Sequence, residues 1–317
     1  MYIKQVVIWG HKLHSHTHSY IHNGFYIGLK KLGFKTLWFD DNDNIEDINF
    51  SNSLFITEHQ VNKKIPLRDD CLYLTHYIDN GDYKGIPKEN IIILKVSLRD
   101  FKEKDPKNVN YKPLLKYGQK HEYHAKIDDY NCLYMYWATD LLPHQIDDNI
   151  NNINNIKSAN EINFVGSMTK VWREFSNICK GNNIKFNNYG ATFSVNSHNN
   201  ISVEQNIELM KKSIIAPALQ DDMQIFYNYI PCRIFKNISY GKMGITNNHV
   251  VNELFNNTLI YDSNLIELIK KSLAFNYVPN KNEIIVNLMK HVRDNHTYIN
   301  RINTIINYIN EYTNFKM

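Results

Sequence analysis

One stretch limits the fold more than any other, residues 213–255, SIIAPALQDDMQIFYNYIPCRIFKNISYGKMGITNNHVVNELF. It opens on an apolar run, Ile214-Ile215-Ala216-Pro217-Ala218, which reads as a short strand ending in a polar loop. A helix is predicted from about Pro231, since proline is tolerated in a first helical turn, where its missing N–H would lack a partner anyway. The helix should stop at Tyr240-Gly241, with glycine in the left-handed cap. Met243-Gly244-Ile245-Thr246 then reads as a second strand. Strand, loop, helix and strand in that order form a unit of a parallel sheet, and such sheets bind ligands at the carboxyl ends of their strands. Arg233 and Lys236 stand three apart and share one face of the first helical turns. Two cations beside the N–H groups of a helix start suit a diphosphate. The same pair also reads as the solvated face of an ordinary helix.

The rest of the chain repeats this alternation. Gln5-Val6-Val7-Ile8-Trp9 is nearly all apolar, as a strand buried on both faces should be. Gly10 ends it, and a histidine-rich loop leads into a helix with Ile21, Phe25, Leu29 and Leu32 at helical spacing, stopped by Gly33. Phe34 to Phe39 closes a first βαβ unit. Apolar runs at 53–57, 71–75, 91–95 and 132–136 continue the series, and the charged, tyrosine-rich region 99–129 reads as excursions around a sheet edge. Residues 147–160, dominated by Asn, Ile and Asp, show no usable period and read as a linker. A second α/β series follows, with strands at 162–167 and 184–190 and helices at 170–179 and 203–212. The tail 282–312 reads as helical.

Composition excludes several classes. At 317 residues the chain has room for two ordinary domains. A net charge of +4 with neutral histidines is too weak to argue nucleic-acid binding. Cys71, Cys132, Cys179 and Cys232 are widely spaced, without a C-x-x-C, and read as thiols of a reducing compartment. No run is apolar and long enough to span a bilayer, and the amino terminus enters a strand at once. The expectation is a soluble cytoplasmic protein.

Ile230-Pro231-Cys232-Arg233-Ile234-Phe235-Lys236, continuing to Gly241-Lys242, resembles the donor-site helix of family-1-type glycosyltransferases with the GT-B fold. The spore-maturation (CgeB-like) branch, with its R-I-F-E-x-x-x-x-G pattern, is the nearest. His296-Thr297-Tyr298 and Arg301 resemble the H-T-Y-x-x-R of the same branch. The chain departs from it where the glutamate that holds the ribose in relatives is Lys236, and Asn228 stands eight residues earlier, so the paired-glutamate signature is absent. Lysine there favours phosphate. The resemblance implies an α/β fold of two Rossmann-like parallel-sheet domains in a GT-B architecture, with a deep interdomain cleft and a C-terminal helical tail. Residues 1–155 would form the acceptor domain and 156–280 the donor domain. Residues 281–317 would be helices packing back toward the first domain.

On that resemblance the donor side comprises Gly166, Ser167, Gln220, Asp221, Arg233, Lys236, Tyr240 and Glu253. Gly166-Ser167 is similar to the glycine turn that lets a nucleotide-sugar approach the backbone, and Glu253 would replace the missing ribose contact. The acceptor side comprises His11, His16, His22, Glu58, His76 and Asp140, which follow strands or line the first strand-to-helix loop. Any one of these also reads as a polar strand end. His14, His18 and His22 step by four and suggest a metal, yet no Cys or H-E-x-x-H completes a ligand set. Surface and capping histidines are the plainer reading, with Thr17 or Ser19 capping the helix in any case. The function implied is metal-independent transfer of a sugar from a nucleotide-diphosphate sugar to a glycan or other acceptor. The nucleotide-sugar is a co-substrate and no cofactor is expected. Arg233 and Lys236 would stabilise the leaving group, and His18 would be the base if transfer inverts. A non-hydrolysing sugar-nucleotide epimerase and a catalytically idle sugar-nucleotide or glycan-binding protein remain rival readings.

Overall fold

The computed structural model describes residues 1–12, 17–58, 64–79, 82–99, 112–114, 120–189 and 201–317, with the side chains of 17, 18 and 113 left aside. Contacts divide the chain into two compact units. Unit 1 is Met1–Asp140 with Thr297–Met317, and unit 2 is Leu141–His296. Among the described residues the helices are α1 (Thr17–Lys31), α2 (Pro143–Asn151), α3 (Lys170–Gly181), α4 (Val203–Lys212) and α5 (Asp222–Phe226), then α6 (Cys232–Ser239), α7 (His249–Leu254), α8 (Leu265–Phe275), α9 (Lys281–Asn295) and α10 (Tyr298–Tyr312). None of them is long and apolar enough to cross a membrane.

Unit 1 is built on one sheet. Its strands are β1 (Gln5–Trp9), β2 (Thr36–Phe39), β3 (Ser53–Thr57), β4 (Leu72–Thr75), β5 (Ile91–Lys95), β6 (Lys112–Pro113), β7 (Tyr123–Ile127) and β8 (Tyr130–Tyr134), in the order β2-β1-β3-β4-β5-β8-β7-β6. The first six run parallel, while β7 and β6 extend the edge antiparallel. β1, β3 and β4 are buried throughout, which is why they read as apolar runs rather than as alternation. The chain leaves β1 for β2 on one side and then returns for β3 on the other. The carboxyl ends of β1 and β3 therefore flank a topological switch point.

The helix α10 closes this unit against α1. A Cβ added at Gly24 would stand 2.3 Å from ring carbons of Tyr298, and one at Gly28 would stand 2.7 Å from Ile302 Cδ1. Only glycine permits so close an approach. The rings of Phe25 and Tyr298 meet at 4.9 Å. Further along, Arg301 is fully buried. Its Nε donates to the Tyr136 carbonyl at 2.8 Å and its Nη1 stands 3.5 Å from Glu122 Oε1. Its guanidinium lies 4.4 Å from the Tyr136 ring centroid. Leu32, expected in the core, is exposed because α1 ends one residue earlier.

Unit 2 holds two short parallel pairs, β9 (Glu161–Phe164) with β10 (Lys185–Asn188), and β11 (Ile245–Thr246) with β12 (Ile260–Tyr261). Residues 213–219 run between them. The Ile214 N–H donates to the Glu161 carbonyl at 2.8 Å, and the Ala218 N–H donates to the Ile245 carbonyl at 2.9 Å. The expected strand at 214–218 is not regular, however, and only Ala218 bridges Thr246. Pro217 has no N–H to give, and the Ala216 carbonyl accepts instead from Asn237 Nδ2 at 2.6 Å.

One other expectation needs correction. The first half of the expected linker is helical, as α2 and a 3-10 turn at Ile153–Asn155. Pro143 starts α2, the Leu142 N–H donates to Gln145 Oε1 at 2.8 Å, and Ile146 is buried. The tail is helical as expected, in two helices broken at His296, where the Thr297 N–H donates to Asn300 Oδ1 at 2.9 Å. Pro231 is the N-cap of α6 with extended ψ of 136°, so the helix proper begins at Cys232. Gly241 takes the left-handed cap as expected, at φ +86°.

Beside that cap Lys242 is buried, and its Nζ donates to the Ser158 hydroxyl at 2.9 Å and the Ser213 carbonyl at 2.6 Å. Burial pushes its amine down to about 8. The unfolded chain, with an ordinary lysine near 10.4, binds more protons between about pH 8 and 10.5. The contribution of Lys242 to stability thus rises with pH across that window. Wild type should gain up to about 3 kcal/mol on Lys242→Met between pH 7.5 and 10. Denaturation curves at several pH values check this. Parallel pH dependences for the two proteins would refute it.

Candidate functional site

In unit 2 four of the expected donor-side positions, Gly166, Ser167, Asp221 and Arg233, converge at the carboxyl end of β9. Arg233, in the first turn of α6, donates from Nη2 to the Val165 carbonyl at 2.9 Å. Its guanidinium carbon lies 4.7 Å from the Phe164 ring centroid and 5.7 Å from that of Trp172. Those rings stack on each other at 3.8 Å. Cation and aromatic faces attract, so the side chain is held flat against the loop after β9. Gly166 completes the arrangement. A Cβ there would stand 2.9 Å from Phe164 Cζ and 3.0 Å from Arg233 Nη2 at a φ of +156°, so any larger residue would shift the arginine.

Asp221 joins from the segment after residues 213–219. Its Oδ1 accepts from the Val171 N–H at 3.2 Å and the Thr169 hydroxyl at 3.3 Å, tying that loop to the start of α3. Ser167 lies within the same turn, where its carbonyl accepts from the Thr169 N–H at 3.0 Å. Lys236 is half-buried one turn along α6 from Arg233.

The other donor-side expectations fall elsewhere or are otherwise engaged. Gln220 is 1% exposed. Its Nε2 donates to the Tyr229 carbonyl, its Oε1 accepts from Asn248 Nδ2 at 2.8 Å, and its backbone exchanges bonds with the Asn247 amide at 2.8 and 2.9 Å. It is a framework residue for the loop. Tyr240 caps the far end of α6, about 10 Å from Arg233 at 1.5 Å per residue. There it packs with Met210 and Ala216. Glu253 is exposed in the last turn of α7. Sequence reasoning missed Phe164 and Trp172. Their signal is an aromatic residue at each side of the glycine turn.

In unit 1 the residues after β1 and β3 meet at the switch point. His11, at φ +56°, donates from Nε2 to Glu58 Oε2 at 2.5 Å, and both are at least 94% buried. His22, from α1, donates from Nδ1 to the Gly10 carbonyl at 2.8 Å, and its ring meets that of His11 at 5.8 Å. Burial pushes His22 down to about 4, so it stays neutral at physiological pH. These three side chains meet where the chain leaves β1. His76 lies 4.7 Å from the Trp137 ring and is half-buried. The Asp140 N–H donates to the Tyr20 hydroxyl at 3.1 Å. His14, His16 and the side chain of His18 lie outside the described residues.

Among the described residues no group of three or more His, Cys, Asp or Glu stands together as a metal ligand set. Cys71 and Cys179 are buried free thiols, pushed up to about 11 and about 12 by burial, and do not present a thiolate. Comparison of the chain with protein-family models, with curated proteins and with solved structures finds no match.

Proposed function

We propose that this chain is a glycosyltransferase that takes its sugar from a nucleotide-diphosphate sugar, with the diphosphate seated at Gly166 and Arg233 of unit 2. The reading rests on one observation above all. A guanidinium lies over a stacked pair of aromatic rings and is tied to a carbonyl, beside a glycine that keeps the backbone bare, at a helix start. Such an arrangement holds planar N–H donors and helix N–H groups ready for an anion, and it needs no reorganisation as charge grows on a leaving group.

The finer fold belongs to the same proposal. With residues 213–219 counted as a central, irregular strand, unit 2 has the order β10-β9-(213–219)-β11-β12, the doubly wound arrangement. Its switch point falls between β9 and that segment, from which Gly166 and Asp221 emerge. In this reading Arg233 and Lys236 bind the diphosphate and Asp221 holds the loop that receives it. The buried His11–Glu58 pair fixes the chain as it leaves β1, ahead of α1, on which His18 stands.

A thermal-shift panel of UDP-, GDP-, CMP- and dTDP-linked sugars tests the proposal, because a ligand of the native state raises its apparent stability. A shift with at least one diphosphate-linked sugar, lost in Gly166→Val, is expected. No shift with any of them would refute the reading.

A further inference from the structure

Unit 2 holds a second feature, on the α4 side of β9. A cavity of about 860 Å³ lies between residues 149–157 and α4. That volume falls in the range of ligand sites rather than of packing gaps. We propose that it binds a neutral oligosaccharide.

The lining selects this chemistry by exclusion and by fit. Ile156, Ile201 and Leu209 give the wall apolar patches, which the C–H faces of a sugar can cover. Phosphate is disfavoured, because Glu204 and Glu208 share the wall with Lys157, Lys211 and Lys212, and two of these lysines have partners in the fold. Lys212 pairs with Glu161 at 3.0 Å, and Lys211 lies 5.7 Å from the Tyr240 ring. Glu204 and Glu208, one turn apart on α4, would repel an anion.

The polar part of the lining is rich in side-chain amides and carboxylates, with an aromatic ring beside them. Asn149, Asn152 and Asn155 step by three along one wall. Their Nδ2 groups donate to the Ser239 carbonyl at 3.1 Å, the Asp148 carbonyl at 2.8 Å and Asn152 Oδ1 at 3.3 Å. The amides are therefore oriented before any ligand arrives, which lowers the ordering cost of binding. An amide couples a donor and an acceptor on one carbon, the pattern that adjacent sugar hydroxyls complement, and carboxylates accept from hydroxyls. Tyr189 contributes a ring against which the C–H face of a sugar can lie. Along α4 from Glu204 to Lys212 the wall is about 12 Å long at 1.5 Å per residue, room for two to three sugar units.

The inference does not depend on the diphosphate seat, and its test separates the two. Wild type is applied to an array of neutral oligosaccharides, and the strongest hit is titrated by calorimetry. Asn152 and Glu208 are exposed, so Asn152→Leu with Glu208→Leu should leave the fold intact. The double variant is expected to bind at least about tenfold more weakly. Arg233→Ala should bind the glycan as wild type does. The proposal is overturned if no neutral glycan binds, if the double variant binds equally well, or if binding disappears with Arg233.

Discussion

Replacing Arg233 with alanine should lower sugar-nucleotide turnover roughly 30- to 1,000-fold. The figure corresponds to about 2–4 kcal/mol, the loss seen when one preorganised donor is removed from a site of developing charge. The side chain owes its placement to Phe164, Trp172 and the Val165 carbonyl, so the variant keeps the platform and loses only the cation. Arg233→Lys should fall between, since an ammonium keeps the charge without the planar fork or the stacking. Lys236→Glu asks what the second cation does. If Lys236 binds phosphate, a carboxylate there repels the ligand and nucleoside-diphosphate affinity collapses. If Lys236 only fills a ribose position, affinity is unchanged or improves. Calorimetric affinities for the matching nucleoside diphosphate decide between these outcomes. Unchanged values for both Arg233→Ala and Lys236→Glu, with the fold intact, would remove the seat.

The largest stability effect is expected at Arg301. Its guanidinium and the Glu122 carboxylate are both buried, 3.5 Å apart, and Thr304 donates to the same carboxylate at 3.4 Å. Arg301→Met removes one charge and leaves the other in the interior. Breaking a buried pair in this way costs about 3–5 kcal/mol. Denaturant titration should show the midpoint falling without a change of slope. Adding Glu122→Gln removes the stranded charge, and the double variant should recover a large part of the loss. A loss below about 1 kcal/mol in Arg301→Met would show that the pair contributes little.

What the sequence disclosed follows from the kind of interaction involved. β1, β3, β4 and the Gly241 cap are local patterns, an apolar run or a single glycine, and can be read without partners. Arg233 and Gly166 were legible as separate motifs. That they touch was not, since 67 positions separate them and Phe164 and Trp172 join them only in three dimensions. Residues 214–218 look like a strand by composition, yet Pro217 lacks a ladder donor and the Ala216 carbonyl is taken by Asn237, a residue on another element. Helix α2 is hidden by its asparagines, although Pro143 and the spacing of Ile146 and Ile150 mark it. Gln220 appears in sequence as a loop-end polar group. Its role as a framework residue depends on Asn247, Asn248 and Tyr229.

The glycine-lined seam between α1 and α10 bears on the order in which the protein can assemble. Unit 2 is one continuous stretch of chain, whereas unit 1 needs residues 297–317, which are synthesised after all of unit 2. During synthesis Gly24 and Gly28 have no helix to pack against, and the Glu122 carboxylate has no guanidinium. The Met1 carbonyl likewise awaits the Lys316 N–H, which it meets at 2.8 Å. Domains that are continuous in sequence can fold as they emerge. Here the unit that is made first must finish last, and a nascent chain halted before Thr297 should display a folded unit 2 beside an incomplete, protease-sensitive unit 1.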